Sequence, residues 1–188
     1  MFWNIPNLLT LLRIVLIPVF VGIFYLPPNI ISAHWVNFVA TIIFIVAAIT
    51  DWFDGYLARK WNQTSAFGAF LDPVADKLMV VAALLVLVEF GRVGAVIALI
   101  IIMREIAISA LREWMANLGK SSRVGVAVIG KIKTAAQMIA IPFLLYYDNI
   151  GNFETEYYGQ ILIALAALLT LVSMAYYLHA AWPTIREK

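Results

Sequence analysis

Four aspartates crowd into one short part of this chain, between residues 51 and 76. Asp51 and Asp54 are three residues apart, and Asp72 and Asp76 are four apart; both spacings place two side chains on the same face of an α-helix. Only a short segment separates the two pairs, so we expect them on antiparallel neighbouring helices whose acidic faces converge. The sequence therefore predicts four carboxylates in one small volume.

Converging carboxylates repel one another and lose solvation, so such a cluster needs bound cations or protonation. Carboxylate oxygens without nearby His or Cys suit Mg²⁺ or Mn²⁺, and Mg²⁺ is commonly shared between carboxylates and substrate phosphates. Two simpler explanations stay open. Asp72 before Pro73 is typical of a helix cap, and the aspartates of the first pair can form salt bridges with Arg59 and Lys77. Each of these explains part of the cluster, whereas a metal site explains all four aspartates.

Small residues and an arginine accompany the acids. A glycine inside a helix costs about 1 kcal/mol relative to alanine, which is understandable at Gly55 and Gly68 if a planar ligand approaches the backbone there, as it would at Ala58. Close helix packing is the alternative, and it is common in membranes. Arg59 has the forked donors that bind phosphate oxygens, or it is simply a charge at the membrane surface.

The rest of the chain is far more apolar than a soluble domain, since 64% of its 188 residues are hydrophobic and 13% are charged. A membrane-spanning helix needs about 20 mostly apolar residues, and six such segments use up nearly the whole chain. We therefore expect one all-α membrane domain, residues 1–188, folded as a six-helix bundle. The predicted spans are 8–27, 35–58, 70–90, 92–117, 124–147 and 157–182.

The N-terminal segment and the lack of cysteine limit the possible processing and chemistry of the chain. No basic residue precedes the first apolar run and no small-residue cleavage pattern follows it, so we expect a retained first span rather than a removable signal peptide. The absence of cysteine excludes disulfides and thiolate catalysis.

Basic residues are distributed unevenly among the predicted loops. The segments 28–34 and 148–156 contain no Lys or Arg, and the turn at 91–92 contains only Arg92. The positive-inside rule places the opposite ends of the spans in the cytoplasm, together with both termini and the acidic cluster. The basic residues on that side are Arg59, Lys60, Arg112, Lys120, Arg123, Arg186 and Lys188.

Residues 51–76 resemble the signature of the CDP-alcohol phosphatidyltransferase family, D-x2-D-G-x2-A-R-x8-G-x3-D-x3-D, at every fixed position. Three longer strings, NIPNLLTLLR at 4–13, REIAISALREWMA at 104–116 and GKIKTAAQM at 130–138, resemble its bacterial phosphatidylglycerophosphate synthase branch. The resemblance implies transfer of a phosphatidyl group from CDP-diacylglycerol to sn-glycerol 3-phosphate with release of CMP. It also implies two Mg²⁺ or Mn²⁺ ions, a homodimer and a place in the bacterial inner membrane.

The same resemblance implies roles for particular residues. Asp51, Asp54 and Asp72 would hold one metal ion; Asp51, Asp72 and Asp76 would hold the second, with Asp76 also taking the proton of the attacking hydroxyl. The other signature residues, and two polar residues of the first helix, would bind CDP-diacylglycerol. These are Asn7, Thr10, Gly55, Ala58, Arg59 and Gly68.

Recognition of an acceptor phosphate requires cations. Lys131 and Lys133 lie in the apolar fifth span, where an ammonium group needs a buried partner or an anionic ligand unless it snorkels to the surface. With Arg112 and Arg123 they are predicted to form a basic pocket for glycerol phosphate. Arg104 and the adjacent Glu105 point in different directions along a helix, so we expect structural pairing with other helices or with Arg112.

Three other functions are compatible with some of these features. The same donor chemistry can serve another acceptor alcohol, such as serine or inositol phosphate. An ion-coupled transporter also places acids in membranes, although these acids cluster at one surface. Intramembrane prenyltransferases carry their aspartate motifs in separate halves of a longer bundle. No feature indicates nucleic-acid binding.

Overall fold

The computed structural model describes residues 5–60, 66–119 and 128–186, whose backbone forms six α-helices and no β-strand. A short 3₁₀-helix, Ile23–Tyr25, follows the first of them. The prediction of an all-α fold is confirmed. In chain order the helices are α1 (Ile5–Gly22), α2 (Ala33–Lys60), α3 (Ala66–Glu89), α4 (Ala95–Asn117), α5 (Val128–Tyr146) and α6 (Thr155–Arg186).

The observed start of α3 differs from the predicted span and bears on the acidic cluster. The helix begins at Ala66 rather than at residue 70, so Asp72 and Pro73 lie in its interior. The alternative in which Asp72 caps a helix is therefore wrong, because a capping residue precedes the first turn. Asp72 must be explained by what its side chain contacts.

The outer surface of the bundle is apolar, as a lipid environment requires. Along α1, Leu8, Leu12, Val15 and Val19 are each about half exposed or more. Their spacing of three and four residues forms one continuous face of the helix. In a water-soluble protein that face would be turned inward, so the helix is built to meet lipid on this side.

Three helices are long and apolar enough to cross a membrane within the described ranges, over Asn7–Tyr25, Ala33–Asp51 and Thr155–Thr184. A shorter apolar run, Ile132–Tyr146, lies in α5. Charged residues interrupt α3 and α4. The structure thus agrees with an all-α membrane protein, and the number of six spans stays a prediction.

Close packing of α5 on α6 depends on a glycine. A Cβ atom at Gly159 would lie only 2.8 Å from Cγ of Leu144, so a larger residue there would force the helices apart. Elsewhere α1 packs against α2 and α3, α2 against α5, and α4 against α6. The core between them is filled by large apolar side chains with almost no exposure: Phe20, Phe44, Leu84, Leu87, Ile101, Ile141 and Leu145.

Arg92 ties four helices together at the end of the bundle away from the aspartates. α3 ends in a Schellman turn, in which the amide of Arg92 donates to the carbonyl of Leu87 at 2.7 Å and Gly91 has a φ of 68°. The guanidinium then donates to the Leu145 carbonyl at 2.7 Å and to Oδ1 of Asn37 at 2.7 Å. It also lies 4.5 Å from the centre of the Tyr147 ring. Helices α2 and α5 are thereby bonded to the α3–α4 turn.

Replacing Arg92 by methionine should lower the free energy of unfolding by about 2 kcal/mol or more, because the partner oxygens would lose a charged donor. The thermal unfolding midpoint of the protein in detergent micelles measures this. Arg186→Met is the matched control, since within the described ranges the exposed guanidinium of Arg186 lies over the Trp182 ring at 5.3 Å and makes no hydrogen bond. Equal midpoints for the two variants would contradict the role given to Arg92.

Candidate active site

A buried polar stripe on α1 faces the two helices that carry the aspartates. Asn7, Thr10 and Arg13 recur every three residues and are 3%, 0% and 2% exposed. This spacing keeps the three side chains on one side of the helix. Because α1 packs against α2 and α3, the stripe lies beside the aspartates of those two helices. Asn7 and Thr10 are predicted from the sequence to bind CDP-diacylglycerol, whereas no sequence pattern assigns a role to Arg13.

Arg13 is the direct partner of Asp51. Its Nη1 atom lies 2.6 Å from Oδ1 of Asp51. The arginine side chain is 1% exposed, whereas that of Asp51 is 38% exposed. The guanidinium is therefore sealed in the protein while the carboxylate keeps one side open. Such a pair compensates the charge of a carboxylate in the C-terminal half of α2.

Thr10 orients the aspartate of the neighbouring helix. Its hydroxyl donates to Oδ1 of Asp72 at 2.6 Å. The donor is fully buried and Asp72 is half-buried. Two successive turns of α1 thus bind one carboxylate on α2 and one on α3. This contact, rather than a helix cap, explains Asp72.

A polar cavity of about 180 Å³ opens where α2, α3, α4 and α5 meet. Its volume is well above the roughly 15 Å³ that a single water molecule needs. Asp51 and Asp76 line it from α2 and α3, and Glu105 lines it from α4. Thr134 and Gln137 line it from α5. The predicted convergence of the two acidic helices is thus observed for one aspartate of each pair.

Asp76 differs from the other two aspartates. Among the residues that the structure describes, its side chain makes no hydrogen bond and no ion pair. It is half-buried beside the cavity. A carboxylate in this state is available to accept a proton from a ligand hydroxyl, which is the requirement for a general base.

Lys133 and Glu105 pair across the bundle at the edge of the same cavity. Nζ of Lys133 contacts Oε1 of Glu105, and the lysine side chain is 1% exposed. A buried partner or an anionic ligand is expected for Lys133 from its place in an apolar span, and its partner is Glu105. Glu105 also receives Nη1 of Arg104 at 3.3 Å. Sequence reasoning missed that Glu105 lines the acidic cavity, because its partner lies 28 positions away in the chain.

Two arginines of α4 converge on one buried tyrosine of α6. Nη2 of Arg112 donates to the hydroxyl of Tyr177 at 3.0 Å, and its guanidinium lies 5.0 Å from the centre of the ring. The guanidinium of Arg104 lies 5.5 Å from the same ring and donates to Oγ of Ser173 at 3.2 Å. Arg104 thus pairs with another helix, as expected. Arg112 is thus bonded to a hydroxyl that lies against α5, since a Cβ atom at Gly130 would be only 3.0 Å from it.

Several predicted site residues cannot be placed. Five of them belong to α2 or α5, but nothing beyond that helical assignment is described for them. They are Asp54, Gly55, Ala58, Arg59 and Lys131. Arg123 lies between the described ranges. Gly68 is described and buried in the first turn of α3.

The carboxylates are suitable metal ligands by type. Asp51, Asp72 and Asp76 offer hard oxygen donors, which Mg²⁺ and Mn²⁺ prefer. In the parts of the chain that the structure describes, no three acidic or histidine side chains are close enough together to hold an ion. Arg13 and Thr10 occupy one oxygen each of the first two aspartates. A metal ion would therefore bind through the oxygens that these contacts leave open.

Comparison with known proteins covers the part of the chain in which these residues lie. A family model described as CDP-alcohol phosphatidyltransferase matches residues 3–172. Relatives from Shigella flexneri serotype 5b, Shigella boydii serotype 4 and Escherichia coli strain K12 are each 55% identical over 181 residues, which is 95% of this chain and 95% of the relative. All three are named CDP-diacylglycerol--glycerol-3-phosphate 3-phosphatidyltransferase. The similarity thus includes the acidic segment and the helices around it.

Arg13→Met should destabilise the protein, because Asp51 would keep its charge and lose its partner. We expect a loss of about 1–3 kcal/mol in the free energy of unfolding, a range that allows for the partial exposure of Asp51. The double variant Arg13→Met/Asp51→Asn should recover part of this loss, since it removes the unpaired charge. Thermal unfolding of four proteins in detergent, the unmodified protein, the two single variants Arg13→Met and Asp51→Asn, and the double variant, gives the coupling; strictly additive effects would argue against the pair.

Proposed function

Because the chain belongs to the CDP-alcohol phosphatidyltransferase family, we propose that it transfers the phosphatidyl group of CDP-diacylglycerol to sn-glycerol 3-phosphate. The products are phosphatidylglycerophosphate and CMP, so the protein is a transferase of phospholipid biosynthesis. One observation supports this above the others: the relatives that bear this activity in their names are 55% identical over 95% of the chain. The acceptor is thereby favoured over serine or inositol phosphate.

The polar cavity supports the chemistry. The primary hydroxyl of glycerol phosphate forms a bond to the phosphorus of the phosphatidyl group, and the bond from that phosphorus to CMP breaks. Asp76 takes the proton of the attacking hydroxyl. Its side chain lines the cavity and makes no hydrogen bond or ion pair within the described ranges, so the carboxylate is available for this role.

The acidic cluster is proposed to bind two divalent cations, Mg²⁺ or Mn²⁺, through Asp51, Asp54, Asp72 and Asp76. When bound, such ions offset the charge of the diphosphate and stabilise displacement at phosphorus. Arg13 fixes the direction of Asp51, and Thr10 that of Asp72. The fixed contacts keep one oxygen of each carboxylate occupied and leave the other oxygen to face a ligand.

The two substrates are proposed to use different parts of the site. CDP-diacylglycerol contacts Asn7, Thr10, Gly55, Ala58, Arg59 and Gly68. Glycerol phosphate contacts Arg112, Arg123, Lys131 and Lys133. Since Lys133 is paired with Glu105, its contribution to the acceptor is through the N–H donors of the ammonium group that Glu105 does not use.

The membrane location, orientation and assembly of the enzyme are proposed from its basic residues and from its family. We propose one domain over residues 1–188 in the bacterial inner membrane, with the cavity and both chain termini on the cytoplasmic side. The distribution of Lys and Arg supports that orientation. A homodimer is the expected assembly of the family.

Release of CMP from CDP-diacylglycerol should require glycerol 3-phosphate and a divalent cation. We expect purified protein in mixed micelles to form phosphatidylglycerophosphate with Mg²⁺, to stop when EDTA is added, and to recover when Mg²⁺ is restored in excess. Serine and inositol phosphate, supplied at equal concentration, serve as competing acceptors. Turnover with one of those alcohols alone would replace the proposed acceptor. Turnover that EDTA leaves unchanged would remove the metal.

Asp76→Asn should lower the turnover number by at least about 100-fold, because an amide of the same size cannot take the proton. Binding of CDP-diacylglycerol should remain close to that of the unmodified protein. The two quantities are measured separately, by single-turnover CMP release and by equilibrium binding of the lipid. Glu89→Gln makes the same chemical change at the exposed far end of α3 and should leave both unchanged. Near-normal turnover of Asp76→Asn would exclude it as the base.

A further inference from the structure

Gln137 carries a buried polar atom that no described residue satisfies. The residue lies on α5 and is 3% exposed. Its Oε1 atom is buried and has no hydrogen-bond partner in the described part of the chain. A buried acceptor in this state costs about 1–3 kcal/mol. Such groups are rare in folded proteins and call for a specific explanation.

The position of Gln137 supplies the explanation. Its side chain lines the polar cavity of about 180 Å³ that also contains Asp51 and Asp76. The cavity is large enough for a small polar ligand. The unsatisfied amide thus lies in the same volume as the proposed base, on the opposite helix.

The other polar groups on this face of α5 already have partners. Lys133, one turn before Gln137, contacts Glu105. The hydroxyl of Thr134 donates to the carbonyl of Gly130 at 2.9 Å. Of the three side chains, Gln137 is therefore the one with a buried polar atom that lacks a partner among the described residues.

The chemistry of glycerol phosphate indicates which of its groups Gln137 would meet. The primary hydroxyl must reach Asp76 in order to react. The phosphate is repelled by the carboxylates of Asp51 and Asp76, so it must lie away from them. The secondary hydroxyl remains, and it needs an acceptor for its hydrogen atom. An amide oxygen provides that acceptor without adding a further negative charge beside a phosphate.

We propose that Oε1 of Gln137 accepts a hydrogen bond from the secondary hydroxyl of the acceptor and thereby selects glycerol phosphate over alcohols that lack this group. The proposal rests on the proposed function. A site built to bond a hydroxyl rejects an analogue without it, because the polar group of the site is then left buried and unpaired. Gln137 is thus a specificity residue, separate from the base and from the basic residues assigned to the phosphate.

The test compares two acceptors, sn-glycerol 3-phosphate and 3-hydroxypropyl phosphate, which lacks only the secondary hydroxyl. The unmodified enzyme should prefer the first by about tenfold or more in kcat/KM. Gln137→Met, similar in size but unable to accept this bond, should lower kcat/KM for glycerol phosphate by about tenfold. It should change kcat/KM for the deoxy acceptor by less than about twofold, so the preference disappears. The KM for CDP-diacylglycerol should not change.

A matched control separates recognition from stability. Gln160→Met makes the same substitution on α6, where Nε2 of Gln160 donates to the carbonyl of Arg92 at the other end of the bundle. It should retain the full preference between the two acceptors. Gln137→Glu gives an independent test, since a carboxylate still accepts the bond. It should weaken both acceptors by a similar factor, through repulsion of their phosphates, and keep the preference.

Three results would overturn the proposal while leaving the proposed function in place. They are an unmodified enzyme that uses both acceptors equally, a Gln137→Met enzyme that keeps the preference, and a Gln137→Glu enzyme that loses it. An unmodified enzyme that forms no phosphatidyl product with either acceptor would instead show that the proposed function is wrong, and the role of Gln137 with it.

Discussion

Negative charge gathered at one end of an apolar helix bundle is the constraint on which the rest of the structure depends. A carboxylate held there is costly unless its charge is compensated. Arg13 compensates Asp51, Thr10 donates to Asp72, and Lys133 contacts Glu105. All three partners are buried, so the compensation comes from inside the bundle and leaves the carboxylates facing the cavity. The polar stripe of α1 exists for this reason, on a helix whose opposite face is apolar.

The sequence predicted the helices, and the approach of Asp51 to Asp76, because both depend on local patterns. Apolar runs of about 20 residues indicate spans without knowledge of their neighbours, and a spacing of three or four residues places aspartates on one face. The family signature added the metal-binding roles proposed for the aspartates, which those local patterns do not define. One local rule gave a wrong helix boundary. Pro73 indicated a helix start beside Asp72, whereas α3 begins at Ala66 and contains the proline.

The residues that sequence reasoning missed are those whose role depends on contacts between distant parts of the chain. Arg13 and Asp51 are 38 positions apart, and Glu105 and Lys133 are 28 apart. No periodicity within one helix reports which helix lies beside it. The cost of burying a charge was the available signal. An arginine in the first apolar span needs a partner, just as Lys133 does in the fifth span, so Arg13 could have been recognised in the same way.

The two ends of the bundle use polar groups in opposite ways. At the Arg92 end, a guanidinium is bonded to backbone carbonyls and to Asn37, and it closes the ends of several helices against one another. At the cavity end, the carboxylate of Asp76 and the amide oxygen of Gln137 lack hydrogen-bond partners among the described residues. An arrangement selected for stability alone would fill that cavity with apolar side chains or bond those groups to each other. Because unpaired polar groups persist where a ligand supplies the missing bonds, the contrast supports the proposal that the substrates react at the cavity end, whereas the Arg92 end holds the helices in register.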